Sequence, residues 1–264
     1  MADVINELNG GPMTRIIDLS HRIVSDPPDL PDFLRSEVSY QDHGAGAREF
    51  EQVFGTEPSL LLREEGPAGE RLSIGTHSVT HLDAPYHYNS TIQGRPAETI
   101  DELPLEWFFA PGVVVDALGR EDGDAVTVEQ MRAGIESAGH DLRPLDIVLV
   151  HTGTDRHYGE RDYLHHGPGV TAAATRWLWD QGVRVMGIDA WGWDAPLRLQ
   201  AAAARERREP GILWAAHQVD LPYSQIERLT NLAALPKTGF RVACFPLRIA
   251  RASAAPARVV AIIE

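Results

Sequence analysis

Apolar positions recur with two different periods through the middle of the chain, and their succession predicts alternating strands and helices. Val113-Val-Val-Asp116 and Ile147-Val-Leu-Val150 are short apolar runs of the kind that form buried strands. Between them Val128, Met131, Ile135 and Ala138 fall on one face of a 3.6-residue period. Thr127 and Gln130 stand at capping-box spacing where that period begins, and Gly139 supplies its stop. Thr171 to Gln181 predicts a second helix with Trp177 and Leu178 inward, ended by Gly182, and Val183-Arg-Val-Met-Gly-Ile188 predicts the next strand. This rhythm is that of an α/β domain with parallel neighbouring strands and flanking helices.

The flanks are read from the same patterns. Arg15-Ile-Ile-Asp-Leu19 predicts an opening strand, and Arg241–Phe245 and Arg258–Ile263 predict closing ones. Leu199–Glu209 predicts an exposed helix, and Gln225–Leu232 one or two helical turns. Residues 25–69 are rich in Pro, Asp, Glu and Gly, which predicts loops and short helices. The polar first dozen residues, with Gly10-Gly11-Pro12, read as a flexible arm over 1–12. No repeat, linker or break in composition divides the remainder, so 13–264 is expected to form a single domain.

Composition narrows the function classes. The 264 residues are 43% hydrophobic and 23% charged, as in a globular protein. With 38 acidic against 24 basic residues the net charge is −14, which repels polyanions and argues against nucleic acid and anionic membrane as partners. Cys244 is the one cysteine and cannot close an internal disulfide. The first residues lack a basic region followed by an apolar run, so a cytoplasmic location is expected.

Chemistry concentrates in Gly75-Thr-His77-Ser-Val-Thr-His81-Leu-Asp83-Ala-Pro-Tyr-His87, which holds three of the 11 histidines. Imidazole nitrogens with a carboxylate are ligands that borderline divalent ions accept. In a straight strand rising about 3.3 Å per residue, His77 and His81 would stand roughly 13 Å apart, although His81 and Asp83 would share a face. A continuous helix is disfavoured by Ala84-Pro85. The segment is therefore expected to bend around an ion, with Gly75 and Pro85 as the bending points.

His77-x-Val79-Thr80-His81-x-Asp83-x-Pro85-x-His87 resembles the H-x-G-T-H-x-D-x-P-x-H signature of the metal-dependent cyclase family, which includes bacterial kynurenine formamidase and isatin hydrolase. Ile17-Asp-Leu-Ser20, Ile100–Trp107, Gly187-Ile-Asp-Ala-Trp191 and Glu227–Leu232 extend the resemblance along most of the chain. Val79 stands where the family has glycine. The resemblance implies a swivelling β/β/α fold with a mixed sheet, forming a single catalytic domain. It makes His77, His81 and Asp83 ligands of a zinc or manganese ion and His87 the proton-transfer residue. In two-metal relatives the position of Asp83 bridges, and His217 and Glu227 would complete the second site. A homo-oligomer and a small aromatic substrate are implied as well.

Such an ion polarises a carbonyl and lowers the pKa of its water to about 7, which suits hydrolysis of an amide or ester of the aryl formamide or cyclic amide type. The same ion serves an aromatic polyketide cyclase that holds an enolate during intramolecular aldol condensation, and this alternative stays open. A noncatalytic ligand-binding relative is the third reading, against which the retained histidines argue. His151, His157, His165 and His166 form a second histidine-rich stretch, read as a solvated loop. Trp191 and Trp193 are read either as pocket walls or as core packing.

Overall fold

The computed structural model describes residues 14–27, 29–30 and 35–264. The arm expected over 1–12 lies outside the described residues. The described residues divide into two compact units, one formed by residues 14–21 together with Val79–Glu264, the other lying within Arg22–Ser78.

The larger unit is built on one nine-stranded sheet. Its strands in chain order are β1 (Arg15–Asp18), β2 (His81–Asp83), β3 (Phe109–Asp116), β4 (Ile147–His151), β5 (Val185–Ile188), β6 (Ser224–Glu227), β7 (Phe240–Ala243), β8 (Ala254–Pro256) and β9 (Val260–Ile263). The spatial order is β1-β9-β7-β3-β4-β5-β6-β2-β8. The four central strands β3, β4, β5 and β6 run parallel, and every other pairing is antiparallel. Mixed α/β architecture follows, as the periodicity predicts.

Strand alternation sorts the core into two layers. Val113, Val115, Val148, Val150, Met186 and Ile188 point to one face, where they meet Met131, Ile135, Ala174 and Leu178 of the helices Val128–Ser137 and Ala172–Asp180. Val114, Ile147, Leu149, Val185, Ile226 and Leu82 point to the other face, where they pack with Leu19, just past β1, and with Val242, Ala255 and Ala261 from the outer strands. Both helices begin on a threonine whose side chain accepts from a backbone N–H three residues on, and the capping box of Thr127 with Gln130 is complete. The third crossover carries the helix Leu197–Arg207, which buries no residue, as its alanine and arginine content suggests. Among the described residues no helix is long and apolar enough to cross a membrane.

One expectation is overturned in this unit. Gln225–Leu232 is expected to form one or two helical turns, but Gln225 to Glu227 belong to the fully buried strand β6, and a helical turn, of the 3-10 kind, begins only at Leu232, over Leu232–Ala234. The sequence pattern misleads because Gln225 and Glu227 are polar yet point into a buried site.

The smaller unit holds an antiparallel pair, Glu37–Gln41 with Gly69–Ser73, and the helix His43–Phe54. At 12 residues this helix is longer than expected for this stretch. Asp42 caps its start by accepting from Ala45 N–H, and Gly55 ends it at φ 66°.

Candidate metal centre

The candidate site forms where the parallel strands give way to antiparallel ones, at the carboxyl end of β5 and β6. In open α/β sheets, loops leaving strand ends gather in such places. Strands β6 and β2 pair so that Glu227 stands opposite His81 and Gln225 opposite Asp83. Leu82 and Ile226, also opposite one another, point into the core. With a period of two, His81, Asp83, Gln225 and Glu227 therefore share the other face. All four are buried.

The side chains converge. His81 Nε2 lies 3.3 Å from Asp83 Oδ1 and 3.6 Å from Glu227 Oε2. His217, brought in from the β5–β6 connection, places its Nε2 3.3 Å from Glu227 Oε1 and 3.9 Å from Asp83 Oδ2. One ligand atom from each of His81, Asp83 and Glu227 lies within 4.8 Å of the other two.

Both histidines are oriented from behind. His81 Nδ1 donates to the carbonyl of Val79 at 2.9 Å, leaving Nε2 as the nitrogen turned toward the carboxylates. Val79 adopts φ 58°, a left-handed conformation that a β-branched residue rarely takes and that glycine takes freely. His217 Nδ1 donates to Asp194 Oδ2 at 2.6 Å. Burial alone would lower the pKa of His217, but its hydrogen bonds to Asp194 and Glu227 and their negative charges raise it to about 10. Burial and the Asp83 charge would raise the Glu227 carboxyl, yet the His217 hydrogen bond and charge hold it below its usual value. Trp193 N–H adds a further donor to Glu227 Oε1 at 2.9 Å.

The donor set fits a divalent cation. Two imidazole nitrogens, each with its partner nitrogen engaged elsewhere, face two buried carboxylates at distances set by the sheet, and such N and O donors suit borderline ions. The two buried carboxylates repel one another in a medium of low dielectric, and positive charge between them, from protonated His217 or from an ion, offsets this.

His87 stands on the rim. Pro85 begins the helical turn Pro85–Tyr88 directly after β2, the bend expected there, and Pro at the first position suits a helix start. The turn brings His87 Nε2 to 3.9 Å from Asp83 Oδ2 with the side chain 26% exposed, so it reaches both the carboxylate and solvent. The Trp214 ring lies edge-on to that of His87 at 5.0 Å and stacks on that of His217 at 4.7 Å.

His77 lies in the smaller unit, in the turn closed by Ser78 N–H to the Gly75 carbonyl at 3.1 Å, and is half-buried. The larger unit thus unites His81, Asp83, His87, His217 and Glu227. Sequence reasoning missed Asp194, a buried carboxylate directly after a buried tryptophan. Trp193 is core packing, fully buried with Nε1 bonded to Thr175 Oγ1, whereas Trp191 lies half-buried under the Arg228 guanidinium. Cys244 is fully buried, and burial pushes its thiol pKa up.

Comparison with known proteins matches residues 17–195 to the Cyclase family model, described as Putative cyclase. An isatin hydrolase of Roseibium aggregatum is 27% identical over 215 residues, covering 75% of this chain and 77% of that protein. A kynurenine formamidase of Maricaulis maris is 28% identical over 192 residues, covering 72% of this chain and 78% of that protein. The structure of isatin hydrolase A from Labrenzia aggregata bound to benzyl benzoate superposes with a TM-score of 0.73 at 26% identity, covering 98% of this chain and 99% of that one.

Proposed function

The chain belongs to the cyclase family, and from that premise we propose that it is a metal-dependent hydrolase that opens the carbon–nitrogen bond of an aryl formamide or a cyclic amide. The observation that carries this reading is the facing pair of His81 and Glu227 across two antiparallel strands, with Asp83 and His217 completing a buried nitrogen and oxygen set. His81, Asp83, His217 and Glu227 would hold the ion, with His77 as a further ligand taken from the sequence resemblance. Zinc and manganese both suit this set.

A divalent ion so held supplies Lewis acidity, which polarises a carbonyl and makes water acidic near neutral pH. The chain's own groups do the rest. Val79 and Asp194 hold the Nδ1 protons of His81 and His217, so that Nε2 is the nitrogen each would turn to the ion, which on His217 would displace the proton shared with Glu227. His87 Nε2 takes a proton from the attacking water as oxygen bonds to the carbonyl carbon. As the carbon–nitrogen bond breaks, it returns a proton to the leaving nitrogen, and an imidazole titrates in the range this requires. Trp214, lying against His87, offers an aromatic surface beside the reacting atoms.

The test pairs a substrate panel with one variant. Metal-loaded protein is expected to turn over N-formylkynurenine, isatin or a simple aryl amide, and His87→Ala to lose about 10²–10⁴-fold in kcat with its metal content unchanged. Turnover of none of these substrates would replace the hydrolase reading with aldol cyclisation. Unchanged turnover in His87→Ala would remove the proton-transfer role.

A further inference from the structure

The loop that follows β4 carries a second gathering of histidines and carboxylates, which the proposed hydrolysis does not use. His157 Nδ1 lies 2.6 Å from Glu160 Oε2. His166 is flanked on both nitrogens, with Nδ1 3.1 Å from Asp122 Oδ2 and Nε2 3.3 Å from Asp162 Oδ2. The two imidazole rings stack with centroids 4.0 Å apart and planes 16° from parallel. One ligand atom from each of His157, Glu160 and His166 lies within 4.8 Å of the other two.

The loop backbone that carries these donors is held in place. Gly167 N–H donates to Asp122 Oδ1 at 2.7 Å, and Tyr163, itself buried, donates its hydroxyl to the Asp189 carbonyl at 3.0 Å. Gly167 at φ 90° packs so closely on Thr154 that an added Cβ would come within 2.3 Å of its Oγ1. The turn N–H groups of Glu160 and His166 are bonded to the His157 and Tyr163 carbonyls. Two nitrogens and one carboxylate within reach of one another, with two further carboxylates alongside, are the donor types of a borderline divalent cation, which the two rings would meet by turning out of their stack, since an ion lies in the plane of each imidazole that binds it.

We infer that His157, Glu160 and His166 form a second divalent-cation site of the zinc class, built from residues distinct from those of the sheet site, which ties the loop to Asp122. Arg156 opposes it in a specific way. Its Nε donates to His157 Nε2 at 3.1 Å, so the proton of neutral His157 resides on Nδ1 and is shared with Glu160. An ion on Nδ1 transfers that proton to Nε2, where the Arg156 N–H can no longer donate. Removing Arg156 therefore favours the ion, while removing either histidine destroys the site.

Zinc titration of the full-length chain against a chromophoric chelator tests this in the wild type and in H157A, H166A, R156A and H81A. H157A and H166A are expected to bind one zinc fewer than the wild type, or to bind it more than tenfold more weakly, and H81A to keep the loop equivalent. R156A is expected to bind the loop zinc several-fold more tightly, a direction that loss of folding cannot produce. Wild-type zinc count and affinity in both H157A and H166A would overturn the inference.

Discussion

Asp194 accepts from Ala216 N–H at 3.1 Å, His217 N–H at 3.0 Å, His217 Nδ1 at 2.6 Å and Gln200 Nε2 at 2.9 Å. It fixes both the backbone that carries His217 and the tautomer of its ring, the kind of outer support on which metal affinity depends. Asp194→Asn replaces one accepting oxygen by a donor and is expected to weaken metal binding about 10–100-fold with the helical content unchanged. The metal dissociation constant checks this, and a wild-type value would show that His217 is oriented without Asp194. Val79 illustrates what one residue hides from a sequence. The short window places His81, Asp83 and His87 together, but nothing in it reveals that the departure from glycine sits at φ 58°, with its carbonyl serving His81. Asp194 leaves no local signal at all, because its partner is 23 residues away.

At the scale of elements, the pattern succeeds where burial and polarity agree. The helix Val128–Ser137 is legible because its cap, its apolar face and the glycine after it all point to the same structure. Within it Gly134 lies against the sheet, and a Cβ added there would meet Val115 Cγ1 at 2.6 Å. Val115 is stiff, buried and on a central strand, so the methyl group cannot yield cheaply. Gly134→Ala is therefore expected to lower stability by about 1–2 kcal/mol, although alanine is the better helix former by about 1 kcal/mol. Denaturant melts measure the sign, and a stabilised variant would contradict the close approach. Strand β6 fails to register in the sequence for the opposite reason, since Gln225 and Glu227 are polar and buried. The helix His43–Phe54 is obscured by Gly44 and Gly46, yet an added Cβ at Gly46 would meet the Pro67 carbonyl oxygen at 1.9 Å. That glycine is required by packing, which composition alone cannot distinguish from a loop.

For the molecule as a whole, the net charge of −14 raises the local concentration of cations while it repels polyanions. The smaller unit, Arg22–Ser78, contains the stretch rich in Pro, Asp, Glu and Gly over 25–69, but no linker in the sequence marks its borders. His217 and Glu227 likewise enter the sequence reading only through family resemblance, since sheet pairing brings Glu227 opposite His81 from far along the chain. The central claim is that these residues surround a divalent cation. Anomalous diffraction from crystals of the metal-loaded protein, collected at the absorption edge of the bound metal, tests it most directly. The expected result is a peak bonded to His81 Nε2, His217 Nε2 and the carboxylates of Asp83 and Glu227. Active, metal-loaded protein that shows no peak among these four side chains would contradict it.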